Sequence, residues 1–259
     1  MKIFVVVDME GISGICRSSQ VMPDGEHYAA SRKYIVWDTN ACVAGCIAGG
    51  ATRVVVRDAH ATGYNFLWED LDPRAEYIQG RSLRQRIPDL DDFDGLILLG
   101  YHAMAGTREA ILEHTMSSRG WQNFWINGVK AGEFALDAAT AGDHNVPTIM
   151  VSGDDKLCAE ARKLVKNIVA VEVKKGLDVE GGLLQPKETA HRLITEGAAR
   201  AVRECKRIKP YKVKGPVHLR LEMVSRGVVS PRKPGVKFAG DSRTYEVTGP
   251  DVETAFNML

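Results

Sequence analysis

Five side chains that can bind metal ions follow short apolar runs or a turn in this sequence of 259 residues. Asp8 and Glu10 come after the first apolar run, His60 after the second and His102 after the third, and Glu133 begins a helical pattern. Carboxylates and imidazoles without a thiolate favour zinc, and they suit manganese, cobalt or iron less well. A single catalytic zinc takes three protein ligands, so five candidates predict two ions bridged by a carboxylate. Glu10 and Glu133 are the two alternatives for the bridge.

His114 is a further candidate, in a segment too short to form a core helix. Beside a metal pair, this imidazole can act as a general base or stabilise the oxyanion of a tetrahedral intermediate. The alternative is a surface or capping histidine. The remaining histidines have no acidic partner at comparable sequence spacing, and a structural role is predicted for them: His27, His144, His191 and His218.

Three more acidic residues lie at the ends of apolar runs, and each has two interpretations. Asp58 precedes His60 by two residues and either orients that histidine or caps a helix. Asp154 and Asp155 either receive the ammonium group of a substrate or cap the next helix. The turn 11–14 lacks the spacing of a phosphate-binding or dinucleotide-binding loop, and it predicts a close approach of backbone to the metals.

The apolar runs that precede these residues predict strands buried on both faces. The predicted strands are Ile3–Val7, Arg53–Arg57, Leu96–Leu99 and Thr148–Val151. Helical patterns over Tyr28–Ala48 and Glu133–Ala141 alternate with them, which predicts an α/β fold: a mostly parallel layered sheet with helices on both faces. Because the carboxyl ends of parallel strands meet at one edge, the candidate ligands are expected to converge there. An extended course from Asp8 to Glu10 would place both carboxylates on one side.

The later part of the chain is less regular. The predicted elements are a hairpin turn at Asn127-Gly128, helices over Leu157–Val165 and Lys187–Cys205, strands over Ile168–Val173 and Val217–Met223, a Gly/Pro-rich loop over 227–235 and a short helix from Asp251. We expect a metal-binding catalytic α/β domain over residues 1–155 and a smaller C-terminal α+β domain over residues 156–259.

The composition narrows the class of protein. A formal net charge of +1 predicts neither a nucleic-acid nor a membrane partner. Signal-peptide and membrane-spanning patterns are absent from the sequence. The five cysteines are scattered and odd in number, which argues against a disulfide framework and favours a reducing compartment, so we expect a cytoplasmic location.

Several motifs resemble those of the D-aminopeptidase family, binuclear zinc peptidases associated with bacterial dipeptide-permease operons. The motifs are DMEGISG at 8–14, DAH at 58–60, GYHA at 100–103, HTM at 114–116, IN at 126–127, GE at 132–133 and VSGDD at 151–155. The resemblance covers about the first 155 residues, and the remainder matches only loosely.

The resemblance implies two zinc ions per chain and a catalytic role for His114, which the family's motif places beside the metals as a proposed nucleophile. The implied zinc ligands are Asp8, Glu10, His60, His102 and Glu133. It further implies that the substrate is a short peptide or amide that loses an N-terminal D-amino acid. It also implies a homo-oligomer, a decamer of two stacked five-membered rings.

The function predicted from the sequence is therefore a zinc-dependent aminopeptidase that removes N-terminal D-amino acids through a metal-activated hydroxide. The first alternative keeps the two metals but makes the protein an L-aminopeptidase or a small-amide amidohydrolase. The second alternative is a non-catalytic, zinc-dependent peptide-binding protein. Comparing D- and L-alanine peptides separates the first two, and peptide that is bound but not cleaved would indicate the third.

Overall fold

The computed structural model describes residues 1–81, 86–226 and 234–259. Its strands, in chain order, are β1 Lys2–Val7, β2 Arg53–Asp58, β3 Glu76–Ile78, β4 Gly95–Leu99, β5 Trp121–Ile126, β6 Val129–Lys130, β7 Thr148–Asp154, β8 Val169–Asp178, β9 Gly181–Leu184, β10 Val217–Met223, β11 Lys237–Phe238 and β12 Thr244–Gly249. Its α-helices are α1 Ser18–Val21, α2 Tyr28–Ala48, α3 Glu133–Asp143, α4 Asp155–Leu164, α5 Lys187–Glu204 and α6 Val252–Met258.

The larger sheet has seven strands in the order β3-β2-β1-β4-β7-β8-β9. Neighbouring strands are parallel except for the β8–β9 hairpin at one edge. The apolar run of β1 is buried between β2 and β4, as expected for a central parallel strand. In this register Val7 lies opposite both Asp58 and Leu99, so the three strands end at the same level. The segments that follow them therefore meet at one edge.

Helices flank this sheet as the alternation of apolar strands and helical segments predicts. Helix α2 packs against α5, and α3 packs against α4. Gly45 allows the close contact of α2 with α5, because a Cβ atom there would lie 2.4 Å from the carbonyl oxygen of Thr195. The α/β class and the mostly parallel sheet with helices on both faces are thus confirmed.

The second sheet is antiparallel, with five strands in the order β11-β12-β10-β5-β6. Phe124, Leu219 and Tyr245 are buried in its own apolar core, to which α3 and α6 also contribute. Its alternating pattern of buried and exposed residues, clearest along β10, is that of a sheet with one covered face. The antiparallel sheet and the helices α3 and α6 that pack on it together form the α+β part of the fold.

The strands do not divide between the sheets at residue 155, where we expected a domain boundary. β5 and β6 precede that residue but pair into the second sheet, whereas β8, β9 and α5 follow it and complete the layers of the first. The loose pattern after residue 156 concealed this exchange, because pairing between distant strands leaves no local signal.

The predicted helix and strand positions otherwise agree closely with the structure. The bounds of α2 and β10 match residue for residue, and α6 begins directly after Asp251. The short strands β3, β9 and β11 as well as β12 were not predicted from the sequence. The predicted loop over 227–235 lies outside the described residues except for its last two positions. Among the described residues, no helix is both long and apolar enough to span a bilayer.

Candidate metal centre

The ends of β1 and β4 are held together by a close backbone contact at Gly11. The amide of Gly11 donates to the carbonyl of Gly100 at 2.7 Å. A Cβ atom on Gly11 would lie only 1.8 Å from the carbonyl oxygen of Tyr101, so only glycine fits there. The chain bends at Met9 and Glu10 instead of staying extended, as the hydrogen bond from Ile12 N to Met9 O shows. This bend brings the loop after β1 onto the end of β4.

The carboxylates of this loop face two imidazoles from the neighbouring strands. Oε1 of Glu10 lies 3.2 Å from Nε2 of His60, which follows β2. Oδ2 of Asp8 lies 3.4 Å from Nε2 of His102, which follows β4. All four side chains are buried, with at most 7% of each residue exposed. The predicted convergence of Asp8, Glu10, His60 and His102 at one sheet edge is therefore observed.

Glu133 joins this group from the first turn of α3. Its Oε1 atom lies 3.2 Å from Nε2 of His102 and accepts a 2.7 Å hydrogen bond from the amide of Met116. Its Oε2 atom accepts from Nη2 of Arg86 at 3.2 Å. The hairpin of β5 and β6 leads directly into α3, which explains how Glu133 reaches the strand ends. Glu133 thus contacts an imidazole, a guanidinium and a backbone amide.

His114 stacks on His102, with ring centroids 4.0 Å apart and an interplanar angle of 15°. Its Nδ1 atom lies 2.8 Å from the carbonyl of Leu112, which can only accept, so Nδ1 carries the hydrogen. Nε2 then carries the lone pair and lies 3.7 Å from Oε1 of Glu133. Leu112 and Met116 both have positive φ angles, of 53° and 59°, so the segment carrying His114 holds backbone strain of the kind found at functional sites.

The two imidazoles at the strand ends are oriented by hydrogen bonds on their far side. Nδ1 of His102 lies 3.1 Å from the carbonyl of Ala103, which leaves Nε2 toward the carboxylates. Nδ1 of His60 lies 3.4 Å from Oδ1 of Asn65. Asp58 fixes Asn65 by accepting from its backbone amide at 2.6 Å and from its side-chain amide at 2.7 Å. Asp58 therefore orients His60 through Asn65, the first of the two roles considered for it.

Burial and mutual attraction shift the protonation of these groups. Burial, reinforced by the Glu10 charge, raises the pKa of Asp8 to about 7. Burial opposes the charged form of His60, but the Glu10 carboxylate outweighs it and raises the pKa of His60 to about 10. Likewise, burial opposes the charged form of His102, but Asp8 and Glu133 raise its pKa well above the usual value. Without a cation, the positive charges of the protonated imidazoles therefore offset the negative charges of the neighbouring carboxylates.

The pKa values of two further groups move in the opposite direction. Burial would raise the pKa of Glu133, but His102 and Arg86 lower it to about 2. Burial and repulsion from His102 lower the pKa of His114 below its usual value. His114 is therefore neutral at pH 7, as a general base must be.

The donor set fits two metal ions. Ligand atoms lie within 4.8 Å of one another in two groups of three residues: Asp8, Glu10 and His60, and His102, His114 and Glu133. Among the described residues, the buried atoms Oε2 of Glu10 and Nε2 of His102 have no hydrogen-bond partner. Buried polar atoms without partners are uncommon in native proteins, and a cation would satisfy both. The donors are oxygen and imidazole nitrogen without sulfur, as zinc accepts.

A cleft of about 350 Å³ opens above this centre. The cleft residues that carry ionisable groups are Asp8, Glu10, His60, Arg86, His114, Arg119 and Glu133. His102 is 2% exposed and is not among them. His114 therefore faces the cleft, whereas His102 lies behind it.

The other candidates have structural roles. Asp154 is buried, caps α4 by accepting from Leu157 N at 2.8 Å, and also accepts from Ile111 N at 2.9 Å. Asp155 accepts from Gly176 N at 2.9 Å, so neither aspartate lines the cleft.

The remaining histidines do not line the cleft either, and two of them contact carboxylates that are distant in sequence. His144 lies between Asp91 and Glu253, at 2.8 and 2.7 Å, and His191 lies 3.4 Å from Asp38. These carboxylates are distant in sequence, so spacing along the chain could not reveal them.

Sequence reasoning missed three residues that support the centre. Arg86 binds Asp137 as well as Glu133, and Asn65 orients His60. Lys174 is buried on β8, where burial lowers its pKa to about 8. The other candidates were recognisable because they follow predicted strands next to further candidate ligands. Arg86, Asn65 and Lys174 do not have this position in the sequence.

Known proteins resemble this chain over its full length. The sequence model of the D-aminopeptidase family, peptidase family M55, matches residues 1–259. A D-aminopeptidase of Bacillus subtilis (strain 168) is 32% identical over 263 residues, covering 100% of this chain and 95% of that protein.

A solved structure of similar fold is that of the Zn-dependent D-aminopeptidase DppA from Bacillus subtilis, described as a self-compartmentalizing protease. It superposes with a TM-score of 0.92 at 30% identity, covering 100% of this chain and 95% of that one. The match extends beyond the first 155 residues to which the motifs were confined. The chain belongs to the D-aminopeptidase family.

Proposed function

We propose that this protein is a zinc-dependent aminopeptidase that removes N-terminal D-amino acids from short peptides. The observation that carries the proposal is the convergence of three carboxylates and three imidazoles beneath an open cleft. Family membership over the whole chain supports the reaction class, and the zinc dependence of the similar DppA structure supports the metal.

We assign five residues as ligands of two zinc ions: Asp8, Glu10, His60, His102 and Glu133. When bound, zinc supplies a Lewis acid and a water activated at neutral pH. Glu133 and Glu10 are the candidates for the bridge. Glu133 lies within 3.7 Å of Nε2 of both His102 and His114, whereas Glu10 contacts His60. Both contacts of Glu133 lie within one of the two donor groups. Asp8 belongs to the group of Glu10 and His60 and lies 3.4 Å from Nε2 of His102 in the other group, so Asp8 would be the carboxylate within reach of both ions.

His114 is assigned the proton-transfer role. Its Nδ1–H is held by the Leu112 carbonyl, so Nε2 presents a lone pair at the cleft. A neutral imidazole in this position accepts a proton during attack on the scissile carbonyl and returns it to the leaving amine. The ring needs no rearrangement between these steps, because stacking on His102 fixes it.

Zinc affinity is expected to fall as the pH falls. In the metal-free protein the pKa of His60 is about 10 and that of His102 is raised well above its usual value, so both carry a proton at neutral pH. Asp8, with a pKa of about 7, adds a proton below that pH. Each proton must leave before the atom binds a cation, so affinity drops by about tenfold per pH unit for each proton released.

Calorimetric titration with zinc in buffers of different ionisation enthalpy counts the released protons. An affinity that stays constant from about pH 8 to about pH 6 would contradict the assigned ligands.

A panel of alanine dipeptides tests the function directly. We expect the purified protein to contain two zinc equivalents per chain and to cleave D-alanyl-D-alanine, with the activity lost in chelator and restored by zinc. L-alanyl-L-alanine is the matched control for chirality. Equal cleavage of both would indicate an aminopeptidase without D-specificity, and metal-loaded protein that binds the dipeptide without cleaving it would refute the catalytic proposal.

The remaining family properties are also proposals for this chain. We propose a homo-oligomer, a decamer of stacked rings, and a cytoplasmic location. The description of the similar structure as a self-compartmentalizing protease supports the assembly. Light scattering of the purified protein measures the number of chains.

A further inference from the structure

Arg119 is an exposed cation that lines the cleft above the metal centre. Among the described residues (1–81, 86–226 and 234–259), none forms an ion pair, a hydrogen bond or an aromatic contact with the Arg119 guanidinium. A guanidinium presents a planar fork of donors that matches a carboxylate. The Arg119 guanidinium is therefore available to an anion that enters the cleft.

The other charged groups of the cleft are already engaged. Asp8, Glu10 and Glu133 each lie within 3.4 Å of an imidazole nitrogen. Arg86 donates to Glu133 and forms two hydrogen bonds with Asp137, which is fully buried. Among the residues that the structure describes, an anionic group that enters the cleft thus meets one cation, Arg119, that is not committed to a carboxylate of the protein.

The backbone that carries Arg119 is anchored to the metal centre. Before it, the amide of Met116 donates to Glu133 at 2.7 Å. After it, the amides of Gly120 and Trp121 both donate to the carbonyl of Ser117, at 3.2 and 3.0 Å. Arg119 lies five positions after His114, and this turn fixes the direction in which its side chain leaves the backbone.

The dimensions of a short peptide suit this arrangement. Each residue of an extended chain spans at most about 3.3–3.6 Å, so the carboxylate of a dipeptide lies about 7 Å from its amino end. The cleft of about 350 Å³ is at the small end of the range for ligand sites. With the scissile bond at the metals and His114, the carboxyl end of a dipeptide points away from the centre, toward the cleft wall.

We propose that Arg119 binds the C-terminal carboxylate of the substrate and thereby selects very short peptides with a free carboxyl end over the corresponding amides. This inference rests on the proposed aminopeptidase function. It assigns Arg119 to substrate recognition rather than to metal binding or proton transfer, so its effect should appear in KM more than in kcat.

The experiment compares kcat/KM for D-alanyl-D-alanine and D-alanyl-D-alaninamide, which differ only at the carboxyl end. In the wild-type protein the carboxylate substrate should be preferred. In Arg119→Gln this preference should fall by about 10- to 100-fold, the range for a hydrogen bond to a charged group, through a higher KM for the carboxylate substrate. Arg119→Glu should instead favour D-alanine 2-aminoethylamide, whose far end is a cation.

Arg108→Gln is the matched control, because Arg108 is also exposed on a turn but does not line the cleft. It should keep the wild-type preference. An unchanged preference in Arg119→Gln, or an equal loss on both substrates, overturns the inference while leaving the aminopeptidase function standing. A wild-type protein that cleaves neither substrate with zinc bound overturns the proposed function and this inference together.

Discussion

Glu133→Gln should lose bound metal and reduce kcat/KM by more than about 100-fold. Loss of a residue that only orients a metal ligand usually costs less, about 10- to 100-fold. The carboxylate lies 3.2 Å from Nε2 of His102 and accepts from Arg86 and from the amide of Met116. Glutamine keeps the volume but removes the charge and turns one acceptor into a donor, so it would hold a cation much less well.

Zinc content per chain and steady-state kinetics measure the two losses separately. Glu160→Gln is the control, since Glu160 is a largely buried carboxylate that accepts from Met104 N at 3.0 Å and does not line the cleft. It should retain two zinc equivalents. If Glu133→Gln also retained two equivalents and full turnover, Glu133 would not be a ligand.

His114→Ala should lower kcat by about 10²- to 10⁴-fold, the range for loss of a general acid–base group, while both metals remain bound. The reason is geometric: the Nδ1–H of His114 is held by the Leu112 carbonyl, so its Nε2 lone pair is available at the cleft, whereas His102 lies behind it, with Nε2 3.4 Å from Asp8 and 3.2 Å from Glu133. A loss confined to kcat with unchanged zinc content separates the catalytic role from a ligand role.

His218→Gln serves as the control, because His218 is a partly exposed histidine on the second sheet, 3.4 Å from Glu246. It should behave as wild type. Full turnover of His114→Ala with both metals in place would show that His114 takes no part in the reaction, and loss of one zinc equivalent would make it a ligand.

The candidate centre could be predicted from the sequence because most of the residues proposed as ligands obey a rule of parallel sheets. Asp8, His60 and His102 follow strands that end at the same level, so local patterns were enough to bring them together. Glu133 was found because it begins a helix directly after a hairpin with a strong turn signal.

What the sequence could not provide depends on contacts between distant segments. Arg86 precedes an irregular stretch, and nothing in its neighbourhood indicates that it binds Asp137 and Glu133. Pairing of β5 with β10 joins residues about a hundred positions apart, so the exchange of strands between the sheets left no local trace. The bend at Met9 follows from the contact of Gly11 with the end of β4, which is equally non-local.

Lys174 ties the two halves of the chain together at the site itself. Its ammonium group, buried on β8, donates to the backbone carbonyls of Glu10, Ile12 and Ile15 at 2.5, 2.9 and 2.7 Å. The loop that presents Asp8 and Glu10 is thus braced from behind by a strand contributed after residue 155. A fragment ending there would keep every assigned ligand but lack the cation that shapes their loop, so the structural unit that forms the site extends at least to β8.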